Sequence, residues 1–203
     1  MNIESKKFLD VGCKIGGSFT TISKKFGYKL EEGIGIDINE ENVKAFNDLG
    51  FDGLLSDATN LPFKDGQFEL VIFSHVLEHL PTEELGKKAI DECLRVSSKY
   101  VFLALPFFDE DEYLSSLGLK TYYSDWTGHK NMVHLKTILE NYISKCKYEL
   151  KMIKEINDSS SEEILPIDAP RNSHRYDINH HGKKELIKFD KKIWREFSII
   201  IYK

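Results

Sequence analysis

The chain has 203 residues, 41% hydrophobic and 30% charged, enough for one domain with a substantial core and too few for two. Its formal net charge of −5 argues against attraction of the whole surface to nucleic acid or anionic lipid. No apolar run approaches the roughly 18–20 residues that span a bilayer, and the opening MNIESKKFLD has no apolar signal core, so export is not expected.

Along the chain, apolar runs of strand length alternate with helical patterns. KFLDV (7–11) predicts a buried strand running straight into the glycine-rich turn GCKIGG (12–17). Phe19, Ile22, Ser23 and Phe26 follow at helical spacing, and Gly27 stops that helix. GIGID (33–37) predicts a second strand, and Asn39 or Asp37 can cap a helix over 40–49 that ends at Gly50. GLLS (53–56) is a third strand, and FELVIFS (68–74), the most apolar, a fourth. Thr82 caps a helix through Val96, with Glu83 and Glu84 favourable to its dipole. YVFLAL (100–105) is a fifth strand, stopped by Pro106. Leu135, Ile138, Leu139, Tyr142 and Ile143 mark an amphipathic helix, and YELKMIKEI (148–156) and FSIIIY (197–202) are the last strands. Cys13, Cys93 and Cys146 form no CxxC pair, which predicts small buried thiols in a reducing cytoplasm.

Apolar strands separated by helices indicate a parallel sheet covered on both faces, and the last two strands, with no helix between them, pair antiparallel. The expected fold is α/β: a Rossmann-like, seven-stranded, mostly parallel sheet, its last strand antiparallel, in one domain over 1–203. Residues 157–195 are expected to be a substrate or lid insertion, since so long a loop in a compact domain is usually functional. Within it, 171–195 holds 8 Lys/Arg against 3 Asp/Glu.

Open sheets of this kind bind ligands at the carboxyl ends of their strands. Polar groups fall there on four consecutive strands: Asp10, Asp37, Asp57, and Ser74 with His75. The glycine turn lets backbone N–H groups approach a ligand, and Asp10 can orient that loop or accept from an ammonium group. Asp37, 27 residues after Asp10, sits where an acidic side chain accepts from ribose hydroxyls. Asp57 can take an adenine amino group, with Ile38, Ala58 and Leu61 as apolar faces for the ring. A nucleoside with a cationic tail fits this set.

These segments resemble the class I S-adenosylmethionine-dependent methyltransferases of the small-molecule type (Methyltransferase type 11-like). FLDVGCKIGG (8–17) resembles the family's first motif, GIGIDINEENV its second, and LLSDATNLPFKDGQFELVIFSHVLEHL its third and fourth. TGHKNMVHLKTILE (127–140) is similar to a weaker downstream motif, so the likeness covers about 7–140. The resemblance implies that S-adenosylmethionine is the cofactor, held by Asp10, Gly12, Gly16, Asp37, Ile38, Asp57, Ala58, Ser74 and His75. It implies methyl transfer to a small-molecule oxygen, nitrogen or carbon, with no metal.

His129 is the candidate base that a hydroxyl acceptor needs. His79 is expected to be a packed helix residue, and Glu78 its local structural partner. The histidine-rich tract with His174, His180, His181, Asp168 and Asp177 matches no metal spacing. Its basic bias suits an anionic acceptor, nucleic acid is disfavoured, no membrane contact is expected, and a homodimer is left open.

Two departures from the family pattern stand out. Lys14 replaces a glycine, which requires an ordinary φ there and a side chain turned away from the cofactor. Strand one also begins at about residue 7, so cover must come from 106–134, from 157–195 or from a partner subunit. These departures motivate an alternative, a non-catalytic S-adenosylmethionine-binding or protein-interaction module on the same fold. A nicotinamide oxidoreductase is disfavoured, because the loop is not GxGxxG and a second acidic residue follows strand three.

Overall fold

The computed structural model describes residues 3–203. Five strands run parallel: β1 (Phe8–Val11), β2 (Gly33–Asp37), β3 (Gly53–Leu55), β4 (Phe68–Ser74) and β5 (Ser97–Pro106). β6 (Leu119–Thr121) leaves this sheet, β7 (Lys147–Asp158) returns to it, β8 (Ile164–Pro166) pairs with β6, and β9 (Lys188–Tyr202) closes the chain. The seven-stranded order is β3-β2-β1-β4-β5-β9-β7, with β9 antiparallel to both β5 and β7. Strand order reverses between β1 and β4, which opens a crevice at their carboxyl ends.

Helices cover both faces. β1 is buried along its whole length, and its alternation sends Leu9 and Val11 to one face and Phe8 and Asp10 to the other. On the first face they join Ile34, Ile36, Val71 and Phe73 under α3 (Glu83–Val96), capped by Thr82 Oγ1 accepting from Leu85 N–H. The second face is aromatic. Phe8 and Phe46 pack there against Phe19 of α1 (Gly17–Lys25), at ring-centroid distances of 4.8 and 4.9 Å. Phe46 belongs to α2 (Glu40–Asp48), which Asn39 caps by accepting from Glu41 and Asn42. Burying each such ring contributes roughly 1.5–3 kcal/mol.

Three expectations need amending. Helix α5 (Leu135–Thr137) widens into a π turn over Ile138–Tyr142, so the predicted 135–143 helix is present but irregular. Strand β9 begins at Lys188 rather than at 197, so the end of the 157–195 tract belongs to the central sheet. Its first half reads as polar because Lys188, Asp190, Lys191 and Lys192 are exposed, while Ile193 is buried. The remainder of that tract is docked rather than open. β8 pairs with β6, and a separate apolar cluster of Leu114, Leu119, Ile156, Ile164 and Ile193 lies beneath this lobe. It includes α4 (Asp111–Ser116), while α6 (Ile178–His181) stands on the outer part of the tract with no buried residue. Among the described residues all three cysteines are free thiols, and no helix is long and apolar enough to cross a membrane.

Candidate cofactor and acceptor site

The carboxyl ends of β1 to β4 surround a cavity of about 580 Å³, lined by Gly12, Asp37, Ile38, Asp57, Ala58 and His75 among others. Each arrives by a local device. Gly12 takes φ +75, and a β-carbon there would lie 2.4 Å from Val76 Cγ2, so only glycine lets the turn pass under the strand-four loop. Asp37 ends β2 and is 9% exposed; its Oδ2 accepts from Lys14 N–H at 3.1 Å and its Oδ1 from Asn39 N–H at 2.9 Å. Each oxygen keeps lone-pair capacity for a further donor. Beside it Ile38 is 74% exposed, an apolar side chain left open at the cavity wall. Asp57 Oδ1 accepts from Thr59 N–H and Oγ1 at 2.8 and 2.9 Å, which fixes the carboxylate as it leaves β3.

Not every predicted residue reaches this cavity. Asp10 lies beneath the glycine turn, fully buried, its Oδ2 accepting from Ser18 Oγ at 2.8 Å. Burial pushes its carboxyl up to about 7, and Oδ1 has no hydrogen-bond partner among the described residues. Gly16, with φ +88, starts α1 and packs against Phe46 and Phe51, shaping the loop from behind. Ser74 stays in the β4 ladder opposite Ala104 and does not line the cavity. Lys14 takes φ +47, contrary to the expectation of an ordinary backbone there. It occupies the glycine conformation as a lysine and lines two cavities.

The second cavity, about 380 Å³, shares Lys14, His75 and His79 with the first. His75, itself at φ +55, is held between two carboxylates. Its Nδ1 lies 3.3 Å from Glu78 Oε1 and its Nε2 3.3 Å from Glu196 Oε2. Burial works to lower its pKa, but the bonds to Glu196 and Glu78 outweigh it and raise it to about 9. His75 in turn depresses Glu196 to about 2. His129 lines this cavity too; its Nδ1–H donates to the Tyr123 carbonyl at 2.8 Å, and burial lowers its pKa, so the ring is neutral with Nε2 free.

His79 is not the packed helix residue expected. It is exposed in a short 3-10 turn, Leu77–His79, and its Nδ1–H donates to the Gly128 carbonyl at 2.9 Å. Glu196 and Arg195 were not singled out from sequence. They reach the cavity only through the antiparallel register that sets Glu196 opposite Pro106, and no local pattern signals that pairing. Of the histidine-rich tract, only His174 lines this cavity among the described residues, its ring tilted against Trp126 at 5.6 Å between centroids.

The donor set suits a nucleoside carrying a cationic tail: two carboxylates at adjacent strand ends, an open aliphatic wall, and a glycine turn in the cavity wall whose Gly12, Cys13, Lys14 and Gly16 N–H groups are held by bonds within the protein. Known proteins point the same way. The profile of the Methyltransferase domain family matches residues 9–104. Norajmaline N-methyltransferase from Rauvolfia serpentina is 35% identical over 101 residues, 46% of this chain and 32% of that protein. The tRNA (carboxymethyluridine(34)-5-O)-methyltransferase of Arabidopsis thaliana is 28% identical over 161 residues, 76% of this chain and 37% of that protein. A solved structure of a SAM-dependent methyltransferase from Archaeoglobus fulgidus superposes with a TM-score of 0.64 at 25% identity, covering 98% of this chain and 86% of that one. The chain spans about a third of the length of the curated relatives it matches.

Proposed function

We propose that this chain, whose residues 9–104 belong to the class I S-adenosylmethionine-dependent methyltransferase family, binds S-adenosylmethionine in the larger cavity and methylates a small anionic acceptor in the smaller one. The convergence of Asp37 and Asp57 on one cavity beside a left-handed glycine turn carries this reading. Asp37 accepts from the ribose hydroxyls and Asp57 from the adenine amino group, while Ile38 and Ala58 cover the ring. Gly12 and Gly16 shape the loop, and Asp10 braces it from below through its bond from the Ser18 hydroxyl. Ser74 sets the end of β4 from which His75 reaches the cavity rim.

S-adenosylmethionine supplies a methyl group already activated on sulfur, so the protein needs to position the acceptor and exclude water. His129, neutral and free at Nε2, is placed to take a proton from a hydroxyl acceptor. Lys14, His75 and Arg195 favour an anionic acceptor at the smaller cavity, and the 107–134 and 157–187 segments form its cover. The longer likeness to a tRNA-modifying enzyme favours a second reading with a nucleic-acid acceptor, against which stands the net charge of −5.

Calorimetric titration tests the first step. S-adenosylmethionine should bind at micromolar concentration, Asp37→Ala should weaken it at least tenfold, and NAD should not bind. Binding of NAD in its place, or no binding of either ligand at millimolar concentration, overturns the reading. Bound cofactor with no transfer to any small anionic acceptor or to tRNA would leave the non-catalytic alternative standing.

A further inference from the structure

Three side chains of metal-ligand type converge where the turn after β4 meets the loop before α5. One ligand atom from each of Glu78, His79 and His129 lies within 4.8 Å of the other two. The two segments are pinned together, because Lys130 and Asn131 N–H groups donate to the Glu78 carbonyl at 2.7 and 3.1 Å. Both imidazoles are oriented from behind. The carbonyls of Gly128 and Tyr123 can only accept, so in the neutral ring that a metal requires each Nδ1 carries the proton and each Nε2 offers the lone pair. That is how histidine ligands are held in metal sites, with a carbonyl fixing the tautomer. Neither Nε2 has a hydrogen-bond partner among the described residues.

A second observation is independent of this convergence. Glu78 is 1% exposed, yet its Oε2 has no hydrogen-bond partner among the described residues. Its other oxygen faces His75 at 3.3 Å. A buried carboxylate oxygen without a donor is costly, and a bound cation is the partner that two free imidazole nitrogens beside it would share.

We propose that Glu78, His79 and His129 bind one divalent cation of the Zn2+ class, through Glu78 Oε2 and the two Nε2 atoms. Two imidazoles and one carboxylate favour such an ion over Mg2+ or Ca2+, which prefer oxygen. Bonds of about 2.1 Å at tetrahedral angles put ligands about 3.4 Å apart, so binding draws the three side chains inward. The fourth position opens on the smaller cavity, which all three residues line. Lys14, His75 and Arg195 also face that cavity, and Glu196 pairs with both His75 and Arg195. With the cation bound, His129 Nε2 is a ligand and no longer a base; an oxygen ligand in the fourth position, from water or an acceptor hydroxyl, instead becomes more acidic on the metal. That consequence rests on reading the smaller cavity as the acceptor site, whereas the cation site does not.

The test is titration of Zn2+ into the metal-stripped chain carrying His180→Ala and His181→Ala, which removes the exposed imidazoles of α6 from competition. One Zn2+ per chain should bind at micromolar concentration or tighter. Glu78→Gln, His79→Ala and His129→Ala should each weaken it at least tenfold, the lower end of what losing a group behind a ligand costs. Co2+ in its place should show the visible absorption of a four- or five-coordinate centre, lost in His129→Ala. Circular dichroism of each variant, and S-adenosylmethionine titration of Glu78→Gln and His129→Ala, whose side chains do not line the larger cavity, report folding separately from the metal. Absence of saturable Zn2+ binding, or equal binding by a folded His129→Ala chain, overturns the site. A chain that binds one Zn2+ through these residues and no S-adenosylmethionine keeps the site and overturns the proposed function alone.

Discussion

Lys14 sits at φ +47, a left-handed conformation that costs a residue with a β-carbon about 1–2 kcal/mol. Gly12 and Gly16 accept the same region on either side of it at little cost. What the lysine's conformation secures is its own N–H, donated to Asp37 across the gap between β1 and β2. Lys14→Gly keeps that donor, relieves the β-carbon and removes one positive charge from the cavities. Glycine's extra unfolded-state freedom offsets part of the relief, so the net gain expected is about 0.5–1 kcal/mol. Thermal unfolding should show it as a rise of a few degrees, with affinity for S-adenosylmethionine unchanged or improved. A tenfold loss of affinity would mean that the ammonium, and not the backbone turn, serves the cofactor. His75 at φ +55 repeats the pattern at the end of β4, so two of the four non-glycine residues in this conformation among the described residues lie at the cavity, the others being Lys154 and Asn172.

Among the elements, β7 depends on a contact no strand pattern shows. Lys154 takes φ +56 within that strand, and its ammonium pairs with Glu163, a carboxylate with no exposed surface. Burial would raise the Glu163 pKa, but the bonds from Lys154 and Ser161 Oγ outweigh it and lower it. Lys154→Met keeps the aliphatic stem and leaves the buried charge with the Ser161 hydroxyl and a backbone N–H, without a cation bonded to it. The expected loss is about 2 kcal/mol in urea unfolding, largely restored by Lys154→Arg, because stranding a buried charge costs more than the pair itself gains. An unchanged midpoint would show that water reaches Glu163. The parallel strands were legible because both faces are covered and their residues are nearly all apolar. β9 was legible only where it crosses the core, at 197–202; the exposed charges over 188–192, and Arg195 and Glu196 turned to the smaller cavity, make the rest read as loop. The Asp37 and Asp57 positions follow from strand ends and chain order, which local sequence records. The meeting of Glu78 and His79 with His129, and of His75 with Glu196, depends on long-range register and loop closure, which it does not.

For the molecule as a whole, the most consequential buried charge is Asp10, placed by alternation in β1 on the aromatic face with Phe8, Phe19 and Phe46. Burial raises its carboxyl from 3.8 to about 7, against the lowering effect of the Ser18 hydroxyl. A folded-state pKa above the unfolded value means that the native chain holds a proton the unfolded chain releases. Stability from this group is therefore fully present below about pH 4 and lost as pH rises through about 7. Glu163 and Glu196 act in the opposite sense, since their lowered pKa values remove stability as the solution is acidified. The parent's own curve mixes these effects, but the difference between parent and Asp10→Asn isolates one of them, because the other carboxylates are common to both chains. Asparagine cannot ionise and still offers an oxygen to Ser18. Measured by urea unfolding, Asp10→Asn should gain on the parent steadily between pH 4 and 7, by an amount of order a few kcal/mol, and hold that gain at pH 8. A difference that stays flat across that range would mean that Asp10 is already ionised in the native protein at pH 4, with a cationic or amide donor on its bare oxygen.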